Sequence, residues 1–240
     1  MLQNGQRDRK RLGASHRYRR LPSYTWMPIP VQELLLVFTS VFFIVDPFAA
    51  VPSFLAMTER DTPAQRRVLA RRAGWTCAVT LTLFALGGSL IFKVFGITIG
   101  AFKIAGGVLI GLSALDMVQG RRSRQQETPA ERAEGIEKED IGIMPLGVPM
   151  LAGPGAISTV MVIALGATTP LITAALYASI LVTALVSFYT LAGASLVERR
   201  LGQTGMRILT RLMGLVLCAI AVQFILDGIK MSGVVEPPGS

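Results

Sequence analysis

One apolar stretch, Val31–Thr58, is interrupted by an aspartate and a proline, and this interruption constrains the fold more than any other feature. Uncharged residues fill positions 34–45, Asp46-Pro47 follows them, and a second apolar run comes next. As a helix, the uncharged run would span about 18 Å of a hydrocarbon core about 30 Å thick. The sequence therefore places a carboxylate and a helix breaker near the middle of a membrane, where an ionisable group marks a functional site.

The remaining chain has the composition of a membrane protein. Of its residues, 51% are hydrophobic and only 16% are charged, whereas soluble domains carry about 25% charged residues. Clustering of the charges leaves six apolar runs, at 34–57, 73–92, 104–115, 141–166, 167–197 and 212–226. We predict helices there, because a lone strand cannot satisfy its backbone hydrogen bonds in lipid. The predicted fold class is all-α, a polytopic membrane protein with six transmembrane helices.

The charged and nucleophilic residues argue against several other classes. The net charge is +9, but the cations lie in tails and connections, so we expect no nucleic-acid partner. The only histidine, His16, lies in the amino-terminal tail, so no span offers a histidine-based metal site. An intramembrane protease would need a second aspartate at the depth of Asp46, or a serine with a basic partner. We therefore expect a protein that is not an enzyme and has no metal or cofactor.

The basic residues also predict the orientation. Residues 1–28 are interpreted as a basic, disordered tail, with a lipid-binding arm or a true start at Met27 as alternatives. When the tail is set aside, the connections on one side carry fourteen Lys and Arg and those on the other side carry three. The positive-inside rule then predicts a multi-pass protein of the inner or plasma membrane with both termini outside.

The two halves of the chain repeat at a shift of 107 residues. The shift superposes Pro47 on Pro154, Thr62-Pro63 on Thr169-Pro170, and Gly107 on Gly214. We therefore divide the chain into a first three-helix repeat (29–118), a cytoplasmic linker (119–140), a second three-helix repeat (141–231) and a tail (232–240). Because each repeat has an odd number of spans, the second is inverted relative to the first, as in many secondary transporters.

Asp46-Pro47 and Gly153-Pro154 occupy equivalent places in the two repeats. Each is typical of a helix start, a capping residue followed by proline, so we predict that helices 1 and 4 are broken near the midplane. The amino ends of the half-helices would offer N–H groups to a carboxylate. Asp46 would hold an ammonium group or a coupling cation, Na⁺ or H⁺. The candidate substrate-binding residues are Asp46, Pro47, Phe48, Ala49, Gly153, Pro154, Gly155, Ala156 and Ser158.

Simpler interpretations of these residues remain open. Asp46 is explained equally well as a structural cap, the GPGA run as a packing kink, and the Ser158 hydroxyl as a group that bonds its own helix. For the whole protein, the alternative to transport is a channel or a scaffold without coupled transport. The oligomeric state is also open, with a homo-oligomer among the alternatives.

The segments DPFAAVPSFLAMT (46–58) and PLGVPMLAGPGAIST (145–159) resemble the MarC family, also described as a neutral amino acid transporter family. The resemblance covers about Ile29–Met231. It implies six helices with both termini outside, and cation-coupled transport of small neutral amino acids such as glycine or alanine. Ala49 stands where the first family motif has a glycine, so we expect a different substrate preference.

Overall fold

The computed structural model describes residues 29–120, 142–144 and 146–232. The predictions for the tail 1–28, for most of the linker 119–140 and for residues 233–240 lie outside the described residues. Seven α-helices and one π-helical segment follow one another: α1 Ile29–Val45, α2 Ala50–Met57, α3 Pro63–Phe95, α4 Ile99–Gln119, the π-helical segment Leu146–Leu151, α5 Pro154–Gly166, α6 Pro170–Ala192 and α7 Ala194–Met231. The part of the chain described here contains no strand, so the all-α class is confirmed.

Five stretches of these helices are long and apolar enough to cross a membrane: Val31–Met57, Pro63–Phe95, Ile99–Gln119, Pro170–Ala192 and Thr204–Met231. The thirteen-residue helix α5 is apolar but shorter, and it corresponds to the fourth of the six predicted spans. The helices also extend beyond the apolar runs, since α3 begins at Pro63 and not at residue 73. A polytopic helical membrane protein is therefore confirmed, with five to six apolar helices.

Two helices begin at the threonine-proline pairs that the 107-residue shift superposes. The Thr62 hydroxyl accepts a hydrogen bond from the Gln65 N–H, and the Gln65 side chain accepts one from the Thr62 N–H, which closes a capping box at the start of α3. The Thr169 hydroxyl accepts from the Ile172 N–H at the start of α6. The Thr62 capping box stabilises the start of α3 within an arginine-rich segment that precedes its apolar run.

Three glycines with positive φ end or interrupt helices. Gly96 ends α3 with φ 63°, and Gly120 ends α4 with φ 66°. Gly202 has φ 65° and ψ 174° and interrupts α7, so that this helix consists of a short first segment and the long apolar stretch Thr204–Met231. A side chain at any of the three would be strained.

Small residues spaced seven apart bring α4 and α7 into close contact. The facing pairs are Gly100–Gly228, Gly107–Ala221 and Ala114–Gly214. A Cβ added to Gly107 would lie 2.8 Å from the Ala221 carbonyl oxygen, and one added to Gly214 would lie 3.0 Å from the Ala114 carbonyl oxygen. Because the numbers rise along α4 as they fall along α7, the two helices are antiparallel. Close backbone approach through small residues is typical of helix pairs in membranes.

The main apolar core lies among α1, α2, α3, α5, α6 and the π-helical segment. Its largest fully buried side chains include Phe54, Leu81, Leu146 and Leu176. A smaller cluster around Ile110 joins α4 to α7. Leucines also cover the outside of the helices, as expected of a protein whose surrounding solvent is lipid.

Candidate functional site

Asp46 is the residue at which the chain leaves α1. Its φ is 42°, a left-handed conformation that is uncommon for a residue other than glycine. Residues 47–49 then form a turn, closed by a hydrogen bond of 3.2 Å from the Ala49 N–H to the Asp46 carbonyl oxygen. Helix α2 therefore begins at Ala50 and not at Pro47, where the sequence predicted it, because the left-handed residue delays the first regular helical turn.

The two carboxylate oxygens of Asp46 have different surroundings. Oδ1 accepts a hydrogen bond of 3.2 Å from the Ala49 N–H, the contact expected of a capping aspartate. Oδ2 is buried and has no hydrogen-bond partner among the residues that the structure describes. The residue is only 7% exposed, and burying an unsatisfied polar atom costs about 1–3 kcal/mol. Oδ2 is therefore an acceptor whose hydrogen-bonding capacity is not used by the described residues.

The second helix break precedes α5. The π-helical segment is interrupted by extended backbone at Val148 (φ −137°, ψ 127°), and the Val148–Pro149 peptide bond is cis. Gly153, also extended, precedes α5, and Pro154 takes the first helical position, as predicted. Because Gly153 has no side chain, this helix start has no side-chain hydrogen bond to cap it.

The first turn of α5 lies directly against two other helices. A Cβ added to Gly155 would lie 2.7 Å from Cγ1 of Ile110 in α4 and 3.6 Å from Cγ2 of Ile44 in α1. Glycine is therefore needed for this approach. The N–H groups of Gly155 and Ala156 belong to the first turn of a helix, where they have no carbonyl partner within the helix and a partial positive charge collects.

A cavity of about 970 Å³ joins the two breaks. Six predicted site residues line it: Asp46, Ala49, Gly153, Pro154, Gly155 and Ala156. The structure therefore brings together a carboxylate that follows α1 and the uncapped amino end of α5, which are more than one hundred residues apart in the chain. The residue that carries the unused acceptor and the residues that carry the amino-end donors therefore line one cavity.

The other three predicted residues lie outside the cavity lining. Pro47 belongs to the turn after Asp46, and Phe48 packs edge-on against Phe42 with ring centroids 6.5 Å apart. Ser158 is buried in α5, where its side chain lies against Gly106 of α4. Its Oγ has no hydrogen-bond partner among the described residues.

Several cavity residues were not singled out from the sequence. Ile110 and Ser113 of α4 line the cavity beside the two breaks, and nothing local in the sequence distinguishes them from other residues of that helix. Besides Asp46, the charged residues of the lining are Glu59, Arg66, Glu198, Arg207 and Arg211. From the sequence, these arginines contributed only to the predicted membrane orientation. The spacing of four residues between Arg207 and Arg211 also places them on one helix face.

Arg66 ties three elements together beside the cavity. Its Nε donates to the Thr58 carbonyl oxygen at 2.9 Å, its Nη1 donates to the Ser195 hydroxyl at 3.0 Å, and its Nη2 donates to the Glu59 carbonyl oxygen at 3.3 Å. The end of α2, the first turn of α3 and the start of α7 are thereby joined by one guanidinium group.

Comparison with known proteins agrees with the two proline-containing motifs. Residues 31–232 match the family described as MarC family integral membrane proteins. A UPF0056 membrane protein of Methanocaldococcus jannaschii is 42% identical over 83% of this chain and 97% of its own length. Those of Aquifex aeolicus and Escherichia coli are each 34% identical, over 86% and 80% of this chain and 96% and 90% of their own lengths. No solved structure matches the chain. The chain therefore belongs to the MarC family of integral membrane proteins.

Proposed function

We propose that the protein is a secondary transporter of small neutral amino acids, of the glycine and alanine type, and not an enzyme. One observation carries the proposal: the unpartnered oxygen of Asp46 and the uncapped amino end of α5 lie at one cavity. A carboxylate suits an ammonium group, and a helix amino end suits a carboxylate. A zwitterionic amino acid presents both groups within one small molecule.

The remaining lining supports a neutral substrate. Beside the two breaks the cavity is walled by alkyl and proline side chains, among them Ile44, Ala50, Ile110 and Pro154. A charged substrate side chain would lose its hydration against these groups without gaining a partner, whereas a hydrogen atom or a methyl group would lose nothing. Small uncharged side chains therefore fit this part of the cavity best.

Reciprocal contacts between α4 and α7 support the inverted repeat on which alternating access depends. Gly107 contacts Ala221, and Gly214 contacts Ala114. The 107-residue shift converts the first pair into the second, as a twofold axis between the repeats would require. We propose that helices 1 and 4 are broken at the midplane, and that the two repeats rock about the site between them.

The charged side chains of the cavity support a membrane orientation and an inward-facing conformation. Its arginines lie in segments that the positive-inside rule assigns to the cytoplasm. We propose that the protein lies in the plasma membrane with both termini outside. In this arrangement the cavity opens from Asp46 toward the cytoplasm, which is an inward-facing state.

Uptake by proteoliposomes tests the proposal. Purified full-length protein is reconstituted, and uptake of labelled glycine and alanine is followed with and without ion gradients. Saturating, gradient-driven uptake above that of protein-free liposomes is expected. Folded protein that moves neither substrate in either direction would contradict transport, and flux that does not saturate would identify a channel.

A further inference from the structure

We propose that a proton and the substrate's ammonium group compete for Oδ2 of Asp46, so that the protein exchanges one proton for one amino acid. This inference rests on the proposed transport function and adds the coupling ion, its site and its direction. It begins from the carboxylate itself. Oδ1 already accepts a hydrogen bond from Ala49, which leaves Oδ2 as the unpartnered oxygen of a 93% buried side chain (7% exposed).

The side chains next to Asp46 offer no further oxygen ligand. Asp46 itself has a left-handed backbone conformation, and the neighbouring cavity residues on its own elements are Ile44, Val45, Ala49 and Ala50, all with alkyl side chains. A bound proton needs only one acceptor atom, whereas a metal cation such as Na⁺ needs several oxygen ligands at once. The proton is therefore the coupling ion that this environment fits.

The other charged groups at the cavity lie on different elements from Asp46. They are Glu59 after α2, Arg66 of α3, and Glu198, Arg207 and Arg211 of α7. The residues that α4, α5 and the π-helical segment contribute to the lining carry no acidic or basic side chain. Among the described residues of the lining, Asp46 is therefore the acid at the helix breaks, and the two glutamates lie outside these breaks.

Competition at one atom determines the direction of coupling. In the proton-loaded form, an O–H bond at Oδ2 makes the buried side chain neutral. Substrate binding requires that this bond break, and the proton passes to water on the side to which the cavity is open. The substrate's ammonium group then binds the carboxylate, while its own carboxylate lies at the amino end of α5.

The cycle transports charge as well as substrate. After the substrate leaves on the opposite side, a proton from that side binds to Oδ2, and the proton-loaded carrier returns. The zwitterion has no net charge, so each turnover moves one positive charge in the direction opposite to the amino acid. An acidic exterior and a negative interior would both drive amino acid export.

Calorimetric titration of the purified full-length protein with glycine and with alanine tests the exchange. Between pH 8 and pH 5, we expect the dissociation constant to rise as the pH falls, approaching tenfold per pH unit once Asp46 is protonated. Buffers of different ionisation enthalpy should reveal release of up to one proton per substrate bound. Asp46→Asn should bind more weakly, without pH dependence and without proton release.

A matched control variant makes the same change at a carboxylate outside the cavity lining. Asp227→Asn should retain both the pH dependence and the proton release, because Asp227 pairs with Lys103 and does not line the cavity. If Asp46→Asn does not fold, Asp46→Glu keeps the titratable group, and it should keep the proton release with a shifted pH dependence.

The possible outcomes distinguish a failure of the proton exchange from a failure of the proposed transport function. Binding that is independent of pH, tightens in acid, or requires Na⁺ would overturn the exchange while leaving a transporter. Proton release that persists in Asp46→Asn would also overturn it, because another group would be the source. Failure of both glycine and alanine to bind or to be transported at any pH would contradict the proposed function, and the exchange with it.

Discussion

The two helix breaks that meet at the cavity are built in different ways. The first has an acid in a left-handed conformation, one of whose carboxylate oxygens has no hydrogen-bond partner among the described residues, and an eight-residue helix follows it. The second has a glycine in place of a capping side chain, and a thirteen-residue helix follows it. One break offers an acceptor and the other offers donors. Places that the predicted repeat makes equivalent thus offer an acceptor and a set of donors, which is the arrangement that the proposed zwitterionic substrate would need.

Removal of the charge at the first break should have the largest effect. Asp46→Asn keeps an oxygen that can accept from the Ala49 N–H but loses the negative charge. A hydrogen bond to a charged group contributes about 1.5–3 kcal/mol, so we expect alanine to bind about 10- to 100-fold more weakly. The melting temperature in detergent should stay close to that of the wild type.

Asp46→Ala is the companion variant, since it loses the cap as well as the charge. It should also lower the melting temperature, because loss of a capping side chain costs about 0.5–2 kcal/mol. If Asp46→Asn transported normally, with normal ion dependence, the negative charge of Asp46 would not be the functional difference between the two breaks.

A substitution at the second break tests its donors. Gly155→Ala places a methyl group 2.7 Å from Cγ1 of Ile110, and overpacking of this kind costs about 1–3 kcal/mol. We expect alanine to bind about tenfold more weakly because the first turn of α5 must shift. Ile110→Ala in the same chain should restore part of the affinity. Gly166→Ala, at the open end of the same helix, is the control, and an equal effect of the two substitutions would contradict this account.

The positions of the two breaks could be predicted from the sequence, because proline and glycine act locally. The boundary at Asp46 and the start of α5 at Pro154 follow from residues adjacent in the chain. The left-handed backbone of Asp46 could not be predicted, since aspartate adopts this conformation only when its surroundings hold it there. The position of Ile110 over Gly155 also depends on how α4 packs, which no local pattern specifies.

The contact between α4 and α7 could be predicted only in part. The repeat identified Gly107 and Gly214 as equivalent, but it did not identify Ala221 and Ala114 as the residues they contact. Small residues seven apart in both helices are visible in the sequence, and in membranes such spacing favours close helix packing. Which residue each glycine contacts depends on the antiparallel direction of the two helices, and no local pattern specifies that direction.

Stability measurements can test whether the two repeats really contact each other in equivalent ways. A methyl group on Gly107 would lie 2.8 Å from a backbone carbonyl oxygen, and one on Gly214 would lie 3.0 Å from another. We expect Gly107→Ala and Gly214→Ala each to lower the free energy of unfolding by about 1–3 kcal/mol. Gly87→Ala has no atom within 4 Å of the new methyl group and should be neutral or stabilising by about 0.5–1 kcal/mol. Equal effects at all three positions would contradict the reciprocal contact.

The smallest expected difference lies at the two threonine caps. Thr62 exchanges three hydrogen bonds with Gln65, whereas the Thr169 hydroxyl accepts one from Ile172. Thr62→Ala should therefore cost about 1 kcal/mol and Thr169→Ala somewhat less. Hydrogen exchange at the Gln65 and Ile172 N–H groups measures each cap separately. If Gln65→Ala removed the difference between the two threonine variants, the larger cost of Thr62→Ala would come from the hydrogen bonds to the Gln65 side chain. If the difference persisted, the starts of α3 and α6 would differ in how they are packed.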